Sequence, residues 1–301
     1  MKILITGANG FIGKHVTKQL ATVNNTILAT GFEKNKSDNS QDNVKWIYGN
    51  LSNLDNYKAE IREFNPDVTV HMAWQGIPDF SENISRLNLE TSIDLLDFII
   101  EETDCSKIIV SGSCFEYGKR NGVVKESENT AINSYFSWAK HSIYGYLELK
   151  CKQKYIELVW FRYFYVYGPG QRKASLIPTI LDSFKNNLTP DIRNPYNKND
   201  FIYVQDIATA TDCVINLETK IDSGIYNLGS GYSTSVLEIC VKAELAVTGV
   251  QKATKSLAKI PKIDFQDFWA DVSKLKSLGW KPMYSIEKGV NEMIKNLKKE
   301  Q

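Results

Sequence analysis

The segment TGANGFIG, residues 6–13, constrains the fold of this 301-residue chain more than any other. It follows the apolar, β-leaning run KILIT (2–6) and opens the stretch FIGKHVTKQLAT (11–22), where Ile12, Val16 and Leu20 recur at helical spacing. Gly7, Gly10 and Gly13 let the backbone turn tightly between strand and helix. They also let an anion approach the helix N-terminus, where free N–H groups and the helix dipole favour negative charge. Three glycines alone would equally fit a plain tight turn. The strand–turn–helix context favours a dinucleotide pyrophosphate site.

The pattern then repeats. Residues 26–30 (TILAT), 67–73 (DVTVHMA), 107–113 (KIIVSGS) and 156–163 (IELVWFRY) are short apolar runs, and helical segments cover 86–102 and 137–154. Alternating strands and helices predict β-α-β units and a parallel sheet, whose strands are apolar throughout because both faces are covered. After VYGPGQ (166–171) prolines punctuate a more polar chain. The expectation is an α/β, doubly wound parallel sheet with a smaller C-terminal lobe. Residues 1–165, with a return at 200–225, form the dinucleotide-binding part, and 166–301 mainly the second lobe. Residues 33–43 and 117–133 read as polar, mobile loops.

Composition excludes several other classes. Lys+Arg is 36 against Asp+Glu 35, so charge gives no reason to expect nucleic acid or an anionic membrane as partner. The five cysteines form no C-x-x-C pair, and the three histidines form no zinc motif, so no metal is expected. No apolar run approaches the roughly 18 residues of a membrane span, and glycines interrupt the N-terminal run too early for a secretion signal. The expected location is cytoplasmic.

Further motifs stand in register along the chain. They are GNL (49–51), VHMAW (70–74), Asn88, VSGSCFEYG (110–118), FRYFYVYGPGQR (161–172), NDFIYVQDIATA (199–210) and FWADVSKLKSLGWKP (268–282). Together with T-G-x-x-G-x-x-G they resemble the extended short-chain dehydrogenases/reductases, the NAD-dependent epimerase/dehydratase family. Members with this tail act mostly on nucleotide-linked sugars. The resemblance implies a cofactor site formed by Gly7, Asn9, Gly10, Phe11, Ile12, Gly31, Lys34, Lys36, Asn50, Leu51, Ala73, Trp74, Asn88, Lys140 and Tyr163. It implies substrate contacts at Ser113, Cys114, Phe115, Tyr165, Arg172, Leu176 and Arg193, and a homodimer through a helix pair. Lys173 and Lys262 are further candidates for a diphosphate.

Gly31 stands where the family pattern has an acid that binds the ribose diol of NAD. Its lack of a carboxylate favours NADP(H), with Lys34 and Lys36 near a 2′-phosphate; Glu33 keeps NAD possible. The resemblance gives Ser113 and Lys140 the roles of serine and lysine in a Tyr/Lys/Ser reductase site. In such a site the ammonium lowers the phenol pKa from about 10, so that the tyrosine can pass a proton. The tyrosine position, four before Lys140, is Phe136. Tyr135 lies roughly 100° around the helix and Tyr144 a turn further along. Phe136 is either an introduced Tyr-to-Phe exchange or a natural variant that uses Tyr135, Tyr165, another donor or water. The persistence of Ser113, Lys140 and the glycines favours the first.

Cys114 and Phe115 replace the acidic pair of the family's dehydratases, which disfavours dehydration. Glu116, one place on, would face away from the site if the strand continued, and reads as structural. Tyr165 and Asn199 replace the asparagine and arginine common in UDP-hexose epimerases. The reading is an NADPH-dependent 4-ketoreductase of a CDP- or dTDP-linked 4-keto-6-deoxy sugar. It resembles CDP-abequose or CDP-paratose synthases and dTDP-4-keto-6-deoxysugar reductases, which make deoxysugars for bacterial O-antigen lipopolysaccharide. An NAD-dependent nucleotide-sugar 4-epimerase and a non-catalytic cofactor-binding protein are the alternatives.

Overall fold

A computed structural model describes residues 1–34, 41–262 and 266–299. In chain order the first half contains β1 (Lys2–Thr6), α1 (Phe11–Leu20), β2 (Thr26–Gly31), β3 (Val44–Tyr48), α2 (Asp55–Phe64), β4 (Val68–His71), α3 (Glu82–Glu102) and β5 (Lys107–Ser113). Then follow β6 (Gly122–Val124), α4 (Tyr135–Lys154), β7 (Glu157–Tyr163), β8 (Tyr165–Tyr167), α5 (Leu176–Lys185), β9 (Lys198–Asn199), β10 (Phe201–Tyr203) and α6 (Val204–Ile215). The last elements are β11 (Gly224–Leu228), β12 (Thr234–Ser235), α7 (Val236–Thr248), α8 (Thr254–Leu257), β13 (Asp267–Ala270), α9 (Ser273–Ser277) and α10 (Ile286–Lys299).

Seven strands form one sheet in the order β11-β7-β5-β4-β1-β2-β3, and every pairing in it is parallel. The strand order reverses between β1 and β4, and such a reversal opens a crevice at the strands' C-terminal ends. One face buries Ile3, Ile5, Val16, Leu20 and Val70 beneath α1 and α6; the other buries Leu4, Leu28, Leu95, Ile99, Ile108 and Leu147 beneath α2, α3 and α4. Burying each such side chain contributes about 1.5–3 kcal/mol, so both faces hold the strand ends rigid. The sequence expectation named neither β3 nor α2; it put the chain's return at 200–225, whereas the last strand of this sheet is β11, Gly224–Leu228.

A second apolar cluster, including Ile180, Phe184, Ile239, Val290 and Met293, lies among α5, α7 and α10. A separate four-stranded sheet has the order β12-β9-β13-β6. The 117–133 segment is therefore not wholly a loop: β6 pairs in parallel with β13, and Arg120 Nη2 donates to Asn129 O at 2.8 Å. Its polar composition hid an edge strand anchored by a partner some 145 residues later in the chain, from Gly122 to Phe268.

Candidate active site

The cleft at the switch between β1 and β4 holds about 190 Å³ and is lined by Gly7, Asn9, Gly10, Gly31, Leu51, Ala73, Trp74 and Asn88. Gly7 has φ +68°, and a Cβ there would stand 2.8 Å from the Ala73 backbone. A side chain at this position would both strain the turn and fill the cleft. A Cβ on Gly31 would collide with the Asn9 carboxamide, which donates to Glu33 O at 2.6 Å. Asn9 thus occupies the space in which a β2 acid would begin. Asn88 bonds both ways with the Gln75 backbone, Gln75 N donating to its Oδ1 at 2.7 Å, and Gln75 Nε2 donates to Asn50 Oδ1 at 2.9 Å.

Of the other expected cofactor contacts, Phe11 and Ile12 sit in the first turn of α1 and do not line this cleft. Ile12 packs against the core instead. Lys34 is exposed, and Lys36 lies outside the described residues. The Tyr163 hydroxyl, at the end of β7, is buried without a hydrogen-bond partner among the described residues.

Ser113 ends β5, and there the chain turns into a 3-10 turn, Cys114–Tyr117, rather than continuing as a strand. Ser113 Oγ accepts from Phe115 N at 3.2 Å, which leaves its own O–H able to donate. The Glu116 carboxylate, fully buried, accepts from Ser113 N at 2.8 Å, Trp160 Nε1 at 3.0 Å and Arg162 Nε at 3.1 Å. Glu116 is therefore structural as expected, but through the turn and not through strand alternation. Cys114 is buried, and burial raises its thiol pKa far above the ordinary range, which disfavours the thiolate.

Helix α4 is capped by Ser134, whose Oγ accepts from Ser137 N at 3.2 Å. It is clamped to α3 by Lys150 Nζ, 2.7 Å from Asp97 and 2.8 Å from Glu101. This fixes Phe136 and Lys140 on one buried face. Lys140 Nζ donates to Ser111 O at 2.6 Å and stands 4.0 Å from the centre of the Trp74 ring. Burial lowers its pKa to about 7, against the opposing pull of the Glu116 charge. Phe136 packs edge-on to Trp74 at 5.2 Å and lies 4.9 Å from Phe80. Tyr135 is half exposed, bonds to Glu82 and meets Trp138, so it turns away from this face.

A cavity of about 270 Å³ is lined by Phe80, Cys114, Phe115, Ser134, Tyr165 and Phe268, among others. Arg172, Leu176 and Arg193 do not line it, and all three are exposed. Lys262 lies over the Tyr196 ring at 5.0 Å instead. Sequence reasoning placed Arg172, Arg193 and Lys262 by loop position alone, with no periodicity to fix their direction, and Leu176 by the resemblance.

The sequence also missed His71, Gln75, Thr91, Ser92 and Phe32 on the cleft wall. His71 bridges Thr6 Oγ1 at 2.7 Å and Ser92 Oγ at 3.0 Å. Burial lowers its pKa to about 3, with the Lys140 charge a second cause, so it stays neutral. A histidine in an apolar strand was the available signal. Among the described residues no group of His, Cys, Asp and Glu is placed to hold a metal, and no helix is long and apolar enough to cross a membrane.

The chain is 27% identical to a putative UDP-glucose 4-epimerase of Methanocaldococcus jannaschii, across 98% of each sequence. It is 26% identical to a dTDP-4-dehydro-6-deoxyglucose reductase of Escherichia coli, across 98% of this chain and 97% of the relative. The fold superposes on the UDP-glucose 4-epimerase of Thermotoga maritima with a TM-score of 0.85 at 22% identity, covering 100% of this chain and 99% of the other. At that identity the likeness establishes the Rossmann-like fold alone. The profile described as the NAD dependent epimerase/dehydratase family matches residues 3–229, more than half of the chain. With the parallel sheet and its glycine turn, that match makes the chain a member of the NAD dependent epimerase/dehydratase family.

Proposed function

We propose that the protein is an NADPH-dependent reductase of the C4 keto group of a CDP- or dTDP-linked 4-keto-6-deoxy sugar, with its proton donor missing at Phe136. The observation that supports the reading is that Phe136 packs on both Trp74 of the glycine cleft and Phe115 of the second cavity, while Lys140, one helical turn on, donates to Ser111 O two residues before Ser113. Cys114 and Phe115 supply no carboxylates there for elimination.

The residues fit a nicotinamide dinucleotide. Gly7 opens the cradle against Ala73, where a Cβ would stand 2.8 Å from the backbone. Gly7, Asn9 and Gly10 would hold the pyrophosphate, and Lys140 the ribose. Gly31 covered by Asn9 leaves no carboxylate to repel a 2′-phosphate, which supports NADP(H) over NAD. When bound, the cofactor supplies hydride. Ser113 donates its free O–H to the ketone oxygen and holds it in place. The Lys140 ammonium favours negative charge developing there. Phe136 has no proton to give, so transfer falls to a tyrosine restored at 136 or, far more slowly, to water. The first-half sheet carries the cofactor, and the second lobe carries the nucleotide sugar.

The test is NADPH oxidation by Phe136→Tyr with CDP- and dTDP-4-keto-6-deoxy sugars. The expected result is stoichiometric consumption, with a gain over the chain as it stands of about 10²–10⁴. No oxidation with either series overturns the reading. Similarity to a 4-epimerase supports the second reading, for which tightly bound NAD, turned over without net consumption, is the signature.

A further inference from the structure

Phe80, Phe115 and Phe136 touch one another, with centroids 4.9 Å apart for Phe80–Phe136, 6.1 Å for Phe115–Phe136 and 6.3 Å for Phe80–Phe115. Phe136 is buried, whereas Phe80 is 39% and Phe115 38% exposed. Both open onto the cavity of about 270 Å³, while Lys119, Asn133, Ser134 and Gln266 also line it. The cavity therefore has a continuous aromatic wall beside position 136, and hydrogen-bonding groups elsewhere on its lining.

We infer that this wall receives the deoxygenated edge of the sugar, with Phe80 and Phe115 as specificity-determining residues that select a C6 methyl over a C6 hydroxyl or carboxylate. The inference rests on the nucleotide-sugar reading above. If the carbonyl at C4 stands over position 136, the substituents one or two bonds away meet the rings around 136. A methyl group there gains contact with phenyl faces. A hydroxyl would give up its water with no donor or acceptor among the three rings to replace it, and a carboxylate would lose far more. The phenylalanines thus turn a general sugar pocket into one for 6-deoxy sugars. Discrimination of about 10–200-fold is the ordinary yield of one such group in an apolar pocket.

Binding tests this without catalysis. Titration calorimetry of the full chain, saturated with NADP⁺, uses dTDP-glucose, dTDP-6-deoxyglucose and dTDP-glucuronate, and the matching CDP series. The expected result is about tenfold or greater preference for the 6-deoxy member of the series that binds, with the glucuronate weakest. Phe80→Ser and Phe115→Ser, both at half-exposed positions and checked for folding by circular dichroism, should bring the 6-deoxy and 6-hydroxy affinities within about threefold of each other. Equal affinity for the two sugars in the unsubstituted chain overturns the inference and leaves the nucleotide-sugar reading standing. Failure of every sugar nucleotide to bind, while NADP⁺ binds, overturns that reading and this inference with it.

Discussion

At the residue scale, position 136 and Trp74 form a pair. The indole touches the phenyl ring on its edge and receives the Lys140 ammonium on its face at 4.0 Å. A tyrosine restored at 136 would share its lysine with that π face, a cation–π contact of about 0.5–2 kcal/mol. We predict that the new phenol in Phe136→Tyr titrates higher than in Phe136→Tyr/Trp74→Ala, by up to about one pH unit. Tyrosinate absorbance against pH measures it, and equal pKa values would refute the pairing. Glu116 is a second residue whose cost can be foreseen. Glu116→Gln leaves the Arg162 guanidinium buried without its counter-charge, so stability should fall by about 3–5 kcal/mol, read by urea unfolding. The motif spacing singled out Ser113 at the end of β5 and Lys140 on α4. The resemblance named Trp74 as a cofactor contact but not its stacking on Lys140, because one indole on one lysine leaves no periodicity to read.

At the element scale, β1, β4, β5 and α4 bring the site together, and α4 buries Lys140 by helical spacing from Phe136, as the four-residue interval required. Burial holds the Lys140 pKa near 7. The folded chain therefore binds fewer protons here than the unfolded chain between about pH 7 and the ordinary lysine value near 10.4. Its contribution to stability accordingly rises with pH across that window and is constant below it. Cofactor binding acts in the opposite direction. If Lys140 meets the ribose of an anionic dinucleotide, binding raises its pKa and takes up a proton above pH 7. The NADP⁺ affinity should then weaken between pH 7.5 and 9 by up to about tenfold per unit. Calorimetry in buffers of different ionisation heat should detect up to one proton taken up. Lys140→Met should abolish that uptake while the protein stays folded. The β2 end gives a parallel case. Gly31→Asp must push aside the Asn9 carboxamide and places a carboxylate near a 2′-phosphate, so NADP⁺ affinity should fall by at least about tenfold, with NAD⁺ affinity changed less.

At the scale of the whole molecule, the parallel sheet was legible because its strands are apolar on both faces and alternate with amphipathic helices. The β11–β7 and β6–β13 pairings were not, since they unite segments about 65 and 146 residues apart through backbone hydrogen bonds that any sequence can make. Asp200 holds this long-range part together. Its buried carboxylate accepts from Ser230 N and Oγ, each at 2.6 Å, from Gly231 N at 3.0 Å and from Ala270 N at 3.1 Å. These bonds tie the β9–β10 junction to the turn after β11 and to β13, so the second lobe is anchored to the edge of the main sheet. Asp200→Ala removes the acceptor of three backbone N–H groups, each costing about 1–3 kcal/mol where water cannot reach it, while Ser230 Oγ keeps Tyr232 O at 3.1 Å. We predict a loss of about 4–6 kcal/mol of stability. If the anchor joins the two parts into one cooperative unit, the variant should also unfold in two steps, with near-ultraviolet and far-ultraviolet dichroism separating in urea. A single coincident transition at unchanged midpoint would mean that Asp200 does not couple the lobes. The cavity of about 270 Å³ lies against this junction, through Tyr165 and Phe268. Loosening the junction should therefore weaken sugar-nucleotide binding more than NADP⁺ binding in the same variant.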